Sequence, residues 1–351
     1  MDNVLRPKGW QPDFRHLEQV LKKQRPDRPV FFDFIIGADK ERFLTGEHYR
    51  QETEFDRVVT TIRAFHSAGY DHSPIIVRGL SFPRLSDQSH ADVQTKSLNF
   101  GAMITDRASF EAYSWPEISE CDFSIIDQAS TYLEGNVKFI PFSFDGILEN
   151  TIGITGYENL CYMLYDDPDL VGDIFREVGS RIKTYYAHCL EYDDVGAILC
   201  NDDWGFNSQT MVPPDVLRRY VFPWYREIVA MAHRKGKYAI LHSCGYYGDI
   251  IDDIIDDMKF DGRHSYEDKI QNVEAAYQAY HGRIAIMGGI DVDFLARSSK
   301  IAVYERSKHM LLSAQAHGGY ALGSGNSVPD YITNENFAAM LQAAYDMGVQ
   351  S

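Results

Sequence analysis

The sequence predicts an α/β protein whose strands close into a (β/α)8 barrel. Short apolar runs alternate with longer amphipathic segments along the 351 residues, which is typical of a parallel sheet whose strands are joined by helices. Eight apolar runs can be distinguished, the number that such a barrel requires. Several runs in the second half of the chain end in polar residues, as strands of barrel enzymes do. A doubly wound open sheet is the main structural alternative.

The predicted strands are short and bounded by polar or glycine-containing segments. They lie near Val30–Ile36, Ile75–Leu80, Val137–Phe144, Ala197–Cys200, Tyr238–Leu241, Gly262–Ser265, Ile284–Met287 and Tyr320–Gly323. Apolar residues at helical spacing predict the helices between strands. Those helices cover Asp169–Tyr192, Asp215–Lys235, Val273–Tyr280, Ile301–Ala316 and Asn334–Met347.

The chain is expected to form a single domain over residues 1–351. No low-complexity linker divides it, and no repeat of 20–50 residues is visible. Residues 1–28 are interpreted as an N-terminal extension of the barrel. Residues 81–136 are polar and irregular, and we interpret them as an insertion near the barrel mouth.

Composition excludes several classes of function. The net charge is −17, from 51 acidic and 34 basic residues, which argues against nucleic acid or an anionic membrane as a partner. No apolar stretch is long enough to span a membrane, and the first residues do not resemble a signal peptide. The five cysteines show no disulfide pattern, so a cytoplasmic location is expected.

The strand Tyr238–Leu241 is followed by two candidate metal ligands, His242 and Cys244. Imidazole and thiolate both suit zinc. Because alternate side chains of an extended segment point the same way, both could face one ion. The sequence therefore predicts a zinc site at this strand end, with the remaining ligands left open.

Other strand ends also carry groups that can bind, titrate or coordinate. Asp202 and Asp203 follow the fourth predicted strand, and one of them is expected to face the cavity as a metal ligand, general acid or substrate anchor. Glu267 is a candidate for the same acid or ligand roles. Candidate substrate-binding residues are Asp33, Phe34, Asn201, Trp204, Tyr246, His264, Tyr266, Asp291 and Asn326.

Four sequence motifs around these strand ends resemble motifs of the uroporphyrinogen decarboxylase superfamily. The closer resemblance is to its branch of corrinoid-dependent methyltransferases. The four motifs are His242-Ser-Cys-Gly245, Asn201-Asp-Asp-Trp-Gly205, Gly288-Gly-Ile-Asp291 and Gly323-Ser-Gly-Asn-Ser-Val-Pro-Asp-Tyr331. The resemblance covers roughly residues 140–348. It implies a (β/α)8 barrel, in agreement with the strand pattern.

The resemblance also separates two activities. Decarboxylases of the superfamily bind their substrate's carboxylates through two arginines of an N-terminal motif. The corresponding positions here hold Phe34 and Ala38, so porphyrinogen decarboxylation is disfavoured.

Thiol-methylating members bind zinc through His-x-Cys and a later cysteine. His242 and Cys244 match the first two ligands, but Asn326 stands at the third position. The resemblance therefore leaves two alternatives: either Glu267, His264 or one of Asp202 and Asp203 completes the site, or zinc binds weakly or not at all.

The leading hypothesis is a methyltransferase that moves a methyl group from a methylated small molecule, with an aromatic methyl ether as the expected donor. The resemblance implies that the acceptor is the Co(I) of cobalamin or another corrinoid supplied by a partner protein. A methylcobalamin-to-thiol or pterin methyltransferase, a related decarboxylase and a non-catalytic binding barrel are the alternatives. A homodimer is an expected assembly.

Overall fold

The structure is a computed structural model that describes residues 5–84 and 102–348. Its strands are β1 (His72–Ile75), β2 (Lys138–Pro141), β3 (Ala197–Asn201), β4 (Tyr238–His242), β5 (Gly262–His264), β6 (Ala285–Met287) and β7 (Tyr320–Ala321). Its helices are α1 (Phe14–Leu21), α2 (Ala38–Thr45), α3 (Glu54–Ser67), α4 (Arg107–Ala112), α5 (Ser124–Ser130), α6 (Ile147–Thr155), α7 (Tyr157–Asp166), α8 (Pro168–Cys189), α9 (Pro214–Val216), α10 (Phe222–Arg234), α11 (Val273–Tyr280), α12 (Val292–Arg297), α13 (Lys300–Ala314) and α14 (Asn334–Gly348).

The strands follow one another around a parallel (β/α)8 barrel, which confirms the predicted fold class. β1 pairs with β2, and β3 to β7 pair consecutively, each in parallel register. A bridge between Phe142 and Leu199 joins the two groups, and a bridge between Phe31 and Leu322 joins the first predicted strand to the segment after β7. Strands that are consecutive in the sequence pair with each other, and the last bridge joins the first segment to the last. This arrangement fits a closed barrel and excludes a doubly wound sheet.

Two predicted strands differ from the structure. The segment Val30–Ile36 forms isolated parallel bridges at Phe31 and Ile36 and no continuous strand. β1 starts at His72 and ends at Ile75, where the predicted strand began. Its residues are buried although His72 and Ser73 are polar, so an apolar run did not locate this strand.

The predicted helix Asp215–Lys235 is interrupted near its start. α9 passes into a π-helical turn over Leu217–Val221, and α10 then continues to Arg234. Pro223 lies at the start of α10 and has no N–H to donate, so the wider turn before it absorbs the break in the hydrogen-bond ladder.

Side chains along the strands point alternately into the barrel and outward to the helices. This alternation separates two apolar layers and sets the direction in which the site residues point. Ala197 and Leu199 belong to the small cluster inside the barrel, whereas Ile198 and Cys200 pack outward against helices. Ile240 also lies in the inner cluster. Because side chains two residues apart share a face, His242 at the end of β4 points inward.

α1, which lies in the predicted N-terminal extension, covers one end of the barrel. Phe14, Leu17, Val20 and Leu21 of α1 belong to the inner cluster, and Leu21 approaches Gly262 at the start of β5. The helix therefore closes the amino ends of the strands, which leaves the opposite end for the site. Of the predicted insertion at residues 81–136, residues 85–101 lie outside the described part of the chain. No helix in the described ranges is both long and apolar enough to pass through a membrane.

Candidate metal centre

Asp203, His242 and Cys244 lie at the carboxyl ends of two neighbouring strands. Asn201 of β3 is in register with His242 of β4, so the residues following these strands start at the same level of the barrel. Asp203 and Cys244 stand on the two loops. The backbone N–H of Cys244 donates to Asp203 Oδ1 at 2.7 Å, which ties one loop to the other.

The three side chains present ligand atoms to one small volume. A carboxylate oxygen of Asp203, a ring nitrogen of His242 and Cys244 Sγ all lie within 4.8 Å of one another, and among the described residues no other group of three or more metal-ligating side chains meets this condition. His242 Nε2 is 3.5 Å from Cys244 Sγ. Tetrahedral zinc bonds to nitrogen and sulfur would separate these two atoms by about 3.6 Å, so the spacing and the donors both fit zinc.

A glycine pair allows the two loops to meet. Gly245 has φ +84°, and a Cβ atom on it would lie 2.0 Å from the carbonyl oxygen of Gly205. Only glycine tolerates both the left-handed backbone and this approach. The position of Cys244 therefore depends on the residue that follows it.

The imidazole of His242 is buried among aromatic rings. Its side chain is packed against Phe34, with ring centroids 4.5 Å apart, and its Nδ1 lies 2.7 Å from Nδ1 of His264. Burial lowers the pKa of His242 well below its usual value, and the nearby His264 adds to this effect. Burial also lowers the pKa of His264 to about 4. Both rings are neutral at neutral pH, as a metal-binding histidine must be.

The sulfur of Cys244 makes polar contacts with two side chains. Asn326 Nδ2 donates to Sγ at 3.1 Å, and Ser265 Oγ lies 3.7 Å away. Burial, followed by the charge of Asp203, raises the pKa of the thiol well above its usual value. Without a cation the sulfur therefore keeps its proton, and metal binding must displace that proton.

Asn326 stands where the resemblance implies a third cysteine ligand, and it lies beside Cys244. Its Oδ1 accepts a hydrogen bond from the N–H of Ser327 at 2.8 Å. Its amide nitrogen therefore faces the sulfur. A side chain in this orientation donates to a thiolate and does not coordinate a cation, so the geometry leaves the third ligand position to Asp203.

The two adjacent aspartates face different surroundings. Asp202 is fully buried and accepts hydrogen bonds from four donors, namely Leu148 N, Glu149 N, Trp204 Nε1 and Tyr225 OH, at 2.8–3.0 Å. Burial raises the pKa of Asp202 to about 6. The carboxylate anchors the start of α6 to the end of β3, and Asp203 is the member of the pair that joins the ligand cluster.

Glu267 and Tyr266 lie next to the cluster at the end of β5. Glu267 Oε1 accepts from the N–H of Gly245 at 3.3 Å. Both residues line a cavity of about 670 Å³ together with Asn326 and Asp291. This volume is sufficient for an aromatic compound of moderate size.

Several predicted substrate-binding residues are held in structural contacts. Asp33 is fully buried and accepts from Tyr70 and Ser324. Asp291 caps α12 by accepting from Phe294 N at 2.9 Å. The remaining contacts are those of Trp204 with Asp202, of Tyr246 with exposed Asp249, and of Asn201 with the carbonyl of Phe144.

Sequence reasoning missed Glu149, which lies on the first turn of α6 beside the aspartate pair. Burial raises its pKa well above the usual value, and the charges of Asp203, Asp202 and Asp145 raise it further. Its protonated form is therefore favoured, and a protonated carboxyl can donate a hydrogen bond. The sequence signal that could have identified it is a glutamate three residues after Gly146, at the start of a helix that follows a strand.

The protein is thus a barrel with three candidate metal ligands at the carboxyl ends of its strands. Residues 133–347 match the uroporphyrinogen decarboxylase (URO-D) family, and the chain belongs to that family. The structure is similar to that of a methyltransferase from Methanosarcina mazei, with a TM-score of 0.69 and 15% sequence identity over 94% of this chain and 97% of the other. No curated protein matches the sequence.

Proposed function

We propose that the protein transfers a methyl group from a methylated small molecule, with an aromatic methyl ether as the expected donor, to the Co(I) of a corrinoid on a partner protein. The observation that carries this proposal is the Asp203–His242–Cys244 cluster at the mouth of a URO-D family barrel. The fold shared with a methyltransferase supports it.

The ligand set suits a catalytic zinc ion. Asp203, His242 and Cys244 would hold the ion through three ligands, which would leave a position for substrate as in catalytic zinc sites. When bound, zinc supplies a Lewis acid for the ether oxygen, which must leave with the bonding electrons as the methyl group departs. Ionised Asp203 and Cys244 would together balance the charge of a bound ion, so the complex would be neutral in a buried setting.

The residues around the cluster suit an aromatic donor. Phe34 is buried beside His242, and Tyr266 lines the adjacent cavity with Glu267 and Asn326. We assign Tyr266 to the cavity wall that contacts the arene, and Phe34 to the packing that holds His242. Glu267 is assigned to the polar groups that orient the substrate or hold a proton near the leaving oxygen.

The same residues disfavour decarboxylation of a tetrapyrrole. Phe34 packs on His242 and Ala38 begins α2, at the two positions where the related decarboxylases carry substrate-binding arginines. Cationic side chains at those positions are needed to neutralise a substrate with many carboxylates. Apolar residues there suit a less charged compound.

The test is a methyl-transfer assay with the zinc-loaded protein. Incubation with cob(I)alamin and a panel of methoxylated aromatics, methylamines and thioethers should give methylcobalamin, detected by its absorbance. His242→Ala and Cys244→Ser should reduce the rate by roughly 100-fold or more, because each removes a metal ligand. Cys161→Ser, which alters an exposed cysteine, should retain the rate. No methylcobalamin from any donor would overturn the proposal, and transfer only from methylcobalamin to a thiol or pterin would support the reverse reaction.

A further inference from the structure

Two fully buried histidines flank the ring of Phe32 in similar environments. His72 stacks on one side with centroids 5.3 Å apart, and His264 meets the ring edgewise at 5.4 Å. Nε2 of His72 lies 2.9 Å from the carbonyl oxygen of Asp33, and Nε2 of His264 lies 3.0 Å from that of Ser324. His72 can therefore serve as a matched control for His264.

His72 and His264 differ in the contacts of their Nδ1 atoms. Nδ1 of His72 has no hydrogen-bond partner among the described residues. Nδ1 of His264 lies 2.7 Å from Nδ1 of His242, whose Nε2 lies 3.5 Å from Cys244 Sγ. Only His264 is therefore connected to the candidate metal centre.

These contacts determine where the protons lie. A backbone carbonyl can only accept, so Nε2 of His264 carries a hydrogen. Burial without a charged partner disfavours a cationic ring, so Nδ1 of His264 has a lone pair. His242 must then donate through Nδ1, and its Nε2 lone pair faces Cys244 Sγ at 3.5 Å.

We propose that His264 is a positioning residue that holds His242 in the Nδ1–H tautomer and so presents its Nε2 lone pair to the metal. This inference rests on the metal centre of the proposed function. Histidine ligands of metal sites commonly donate their second N–H to an oriented acceptor, and loss of that acceptor typically weakens metal binding about 10–100-fold. Here the acceptor is another histidine and not a carboxylate or a carbonyl.

The acceptor is itself anchored across the barrel. Ser324, whose carbonyl holds His264, donates to Asp33 Oδ1 through its N–H at 2.9 Å and its hydroxyl at 2.6 Å. Tyr70 donates to the second oxygen of Asp33 at 2.6 Å. This chain of contacts fixes the rotation of the His264 ring, and it gives Asp33 a role in orienting His264 in place of the predicted role in binding substrate.

The first measurement is the tautomer of His242 in the metal-free protein, by nitrogen-15 NMR of labelled histidine side chains. His242→Ala assigns the signal. The wild type is expected to show a protonated Nδ1 and an unprotonated Nε2. A protonated Nε2 on His242 would overturn the proposal. This result does not depend on any methyl-transfer activity, so it separates the inference from the proposed function.

The second measurement is zinc affinity by competition with a chromophoric chelator. His264→Leu should weaken zinc binding about 10–100-fold and mix the His242 tautomers, whereas His72→Leu should change the affinity by less than about threefold. His264→Gln should restore most of the affinity, since its amide can accept from His242 and donate to Ser324. Equal losses in His264→Leu and His72→Leu would show a packing effect alone and contradict the proposal. A wild-type protein with the expected tautomer but without zinc affinity would instead refute the metal-dependent function.

Discussion

Asp202 and Asp203 are consecutive residues whose carboxylates have different roles. An extended backbone turns them to opposite sides, so one enters the packing between β3 and α6 and the other reaches the cluster. Asp202 meets four donors inside the protein, whereas Asp203 meets the backbone of Cys244 and lies beside two soft ligands. Their substitution should therefore affect different properties.

Asp203→Ala should weaken zinc binding by at least about 100-fold, because losing a ligand costs more than losing an outer hydrogen-bond partner. Its free energy of unfolding should fall by only about 1 kcal/mol, the typical value of one hydrogen bond. Asp202→Ala should lower the free energy of unfolding by about 3 kcal/mol or more, since it leaves buried donors without an acceptor. Zinc titration and urea unfolding measure the two effects.

The matched substitutions are controls for each other. If Asp202→Ala loses zinc affinity at unchanged stability, the two roles have been assigned to the wrong residues. If neither variant changes zinc affinity, Asp203 does not complete the site.

At the scale of elements, the loops after β3 and β4 depend on contact between Gly205 and Gly245. Gly245→Ala should destabilise the protein by about 1–3 kcal/mol through the steric clash, in addition to about 1–2 kcal/mol for the left-handed backbone. Zinc affinity should fall with it, because Cys244 is displaced. Urea unfolding and zinc titration measure both effects.

Gly236 provides the control at the other end of β4. It also has a left-handed backbone, with φ +69°, but no atom of the described residues would lie within 4 Å of a Cβ methyl group added there. Gly236→Ala should therefore cost only about 1–2 kcal/mol and leave zinc binding unchanged. Equal effects of the two substitutions would contradict the importance of the loop contact.

Glu41 links α2 to its neighbours and predicts a pH dependence of stability. It accepts from Thr61 at 2.6 Å and Gln51 at 3.1 Å, and burial raises its pKa from 4.5 to about 7. Because the folded pKa lies above the unfolded one, its contribution is fully present below pH 4.5 and is lost as pH rises through 7. The shift corresponds to about 3 kcal/mol.

Glu41→Gln should remove about 2 kcal/mol of the difference between the free energies of unfolding at pH 5 and pH 8. Urea unfolding at both pH values measures this difference. Glu52→Gln, at an exposed position nearby, should keep the wild-type difference. A wild-type pH dependence in Glu41→Gln would show that burial does not shift this carboxyl.

The sequence predicted elements well where their burial pattern was regular. β3 and β4 are apolar strands with polar ends, so the sequence located His242 and Cys244. Regular apolar spacing likewise predicted α11 with its observed bounds. β1 and the bridges at Phe31 and Ile36 were harder, because residues inside a barrel need to be buried but need not be aliphatic.

The interactions of single site residues were less predictable, since they depend on contacts across the barrel. His264 contacts His242 from a neighbouring strand, and Asn326 contacts Cys244 from beyond β7. Neither contact has a signal in local spacing. Glu149 approaches Asp203 only because α6 packs against the end of β3.

At the scale of the whole molecule, the barrel fold positions the candidate ligands without a metal ion. β3 and β4 pair along their full length, and α1 closes the amino ends of the barrel strands. The candidate ligands lie on strand ends and loops outside this core. A metal ion placed there completes a site, but it does not hold the strands together.

Zinc should therefore raise the stability of the protein without being required for folding. At a free zinc concentration of 100 times Kd, the free energy of unfolding should rise by about 2.7 kcal/mol, because zinc binds the folded state. A chelator should remove this increase while the far-ultraviolet circular dichroism of the barrel is retained. Thermal unfolding with zinc, with chelator and in the Cys244→Ser variant measures the effect, and the variant should show no increase. Loss of secondary structure on chelation would instead identify a structural zinc, whose ligands would be fully enclosed and closed to substrate.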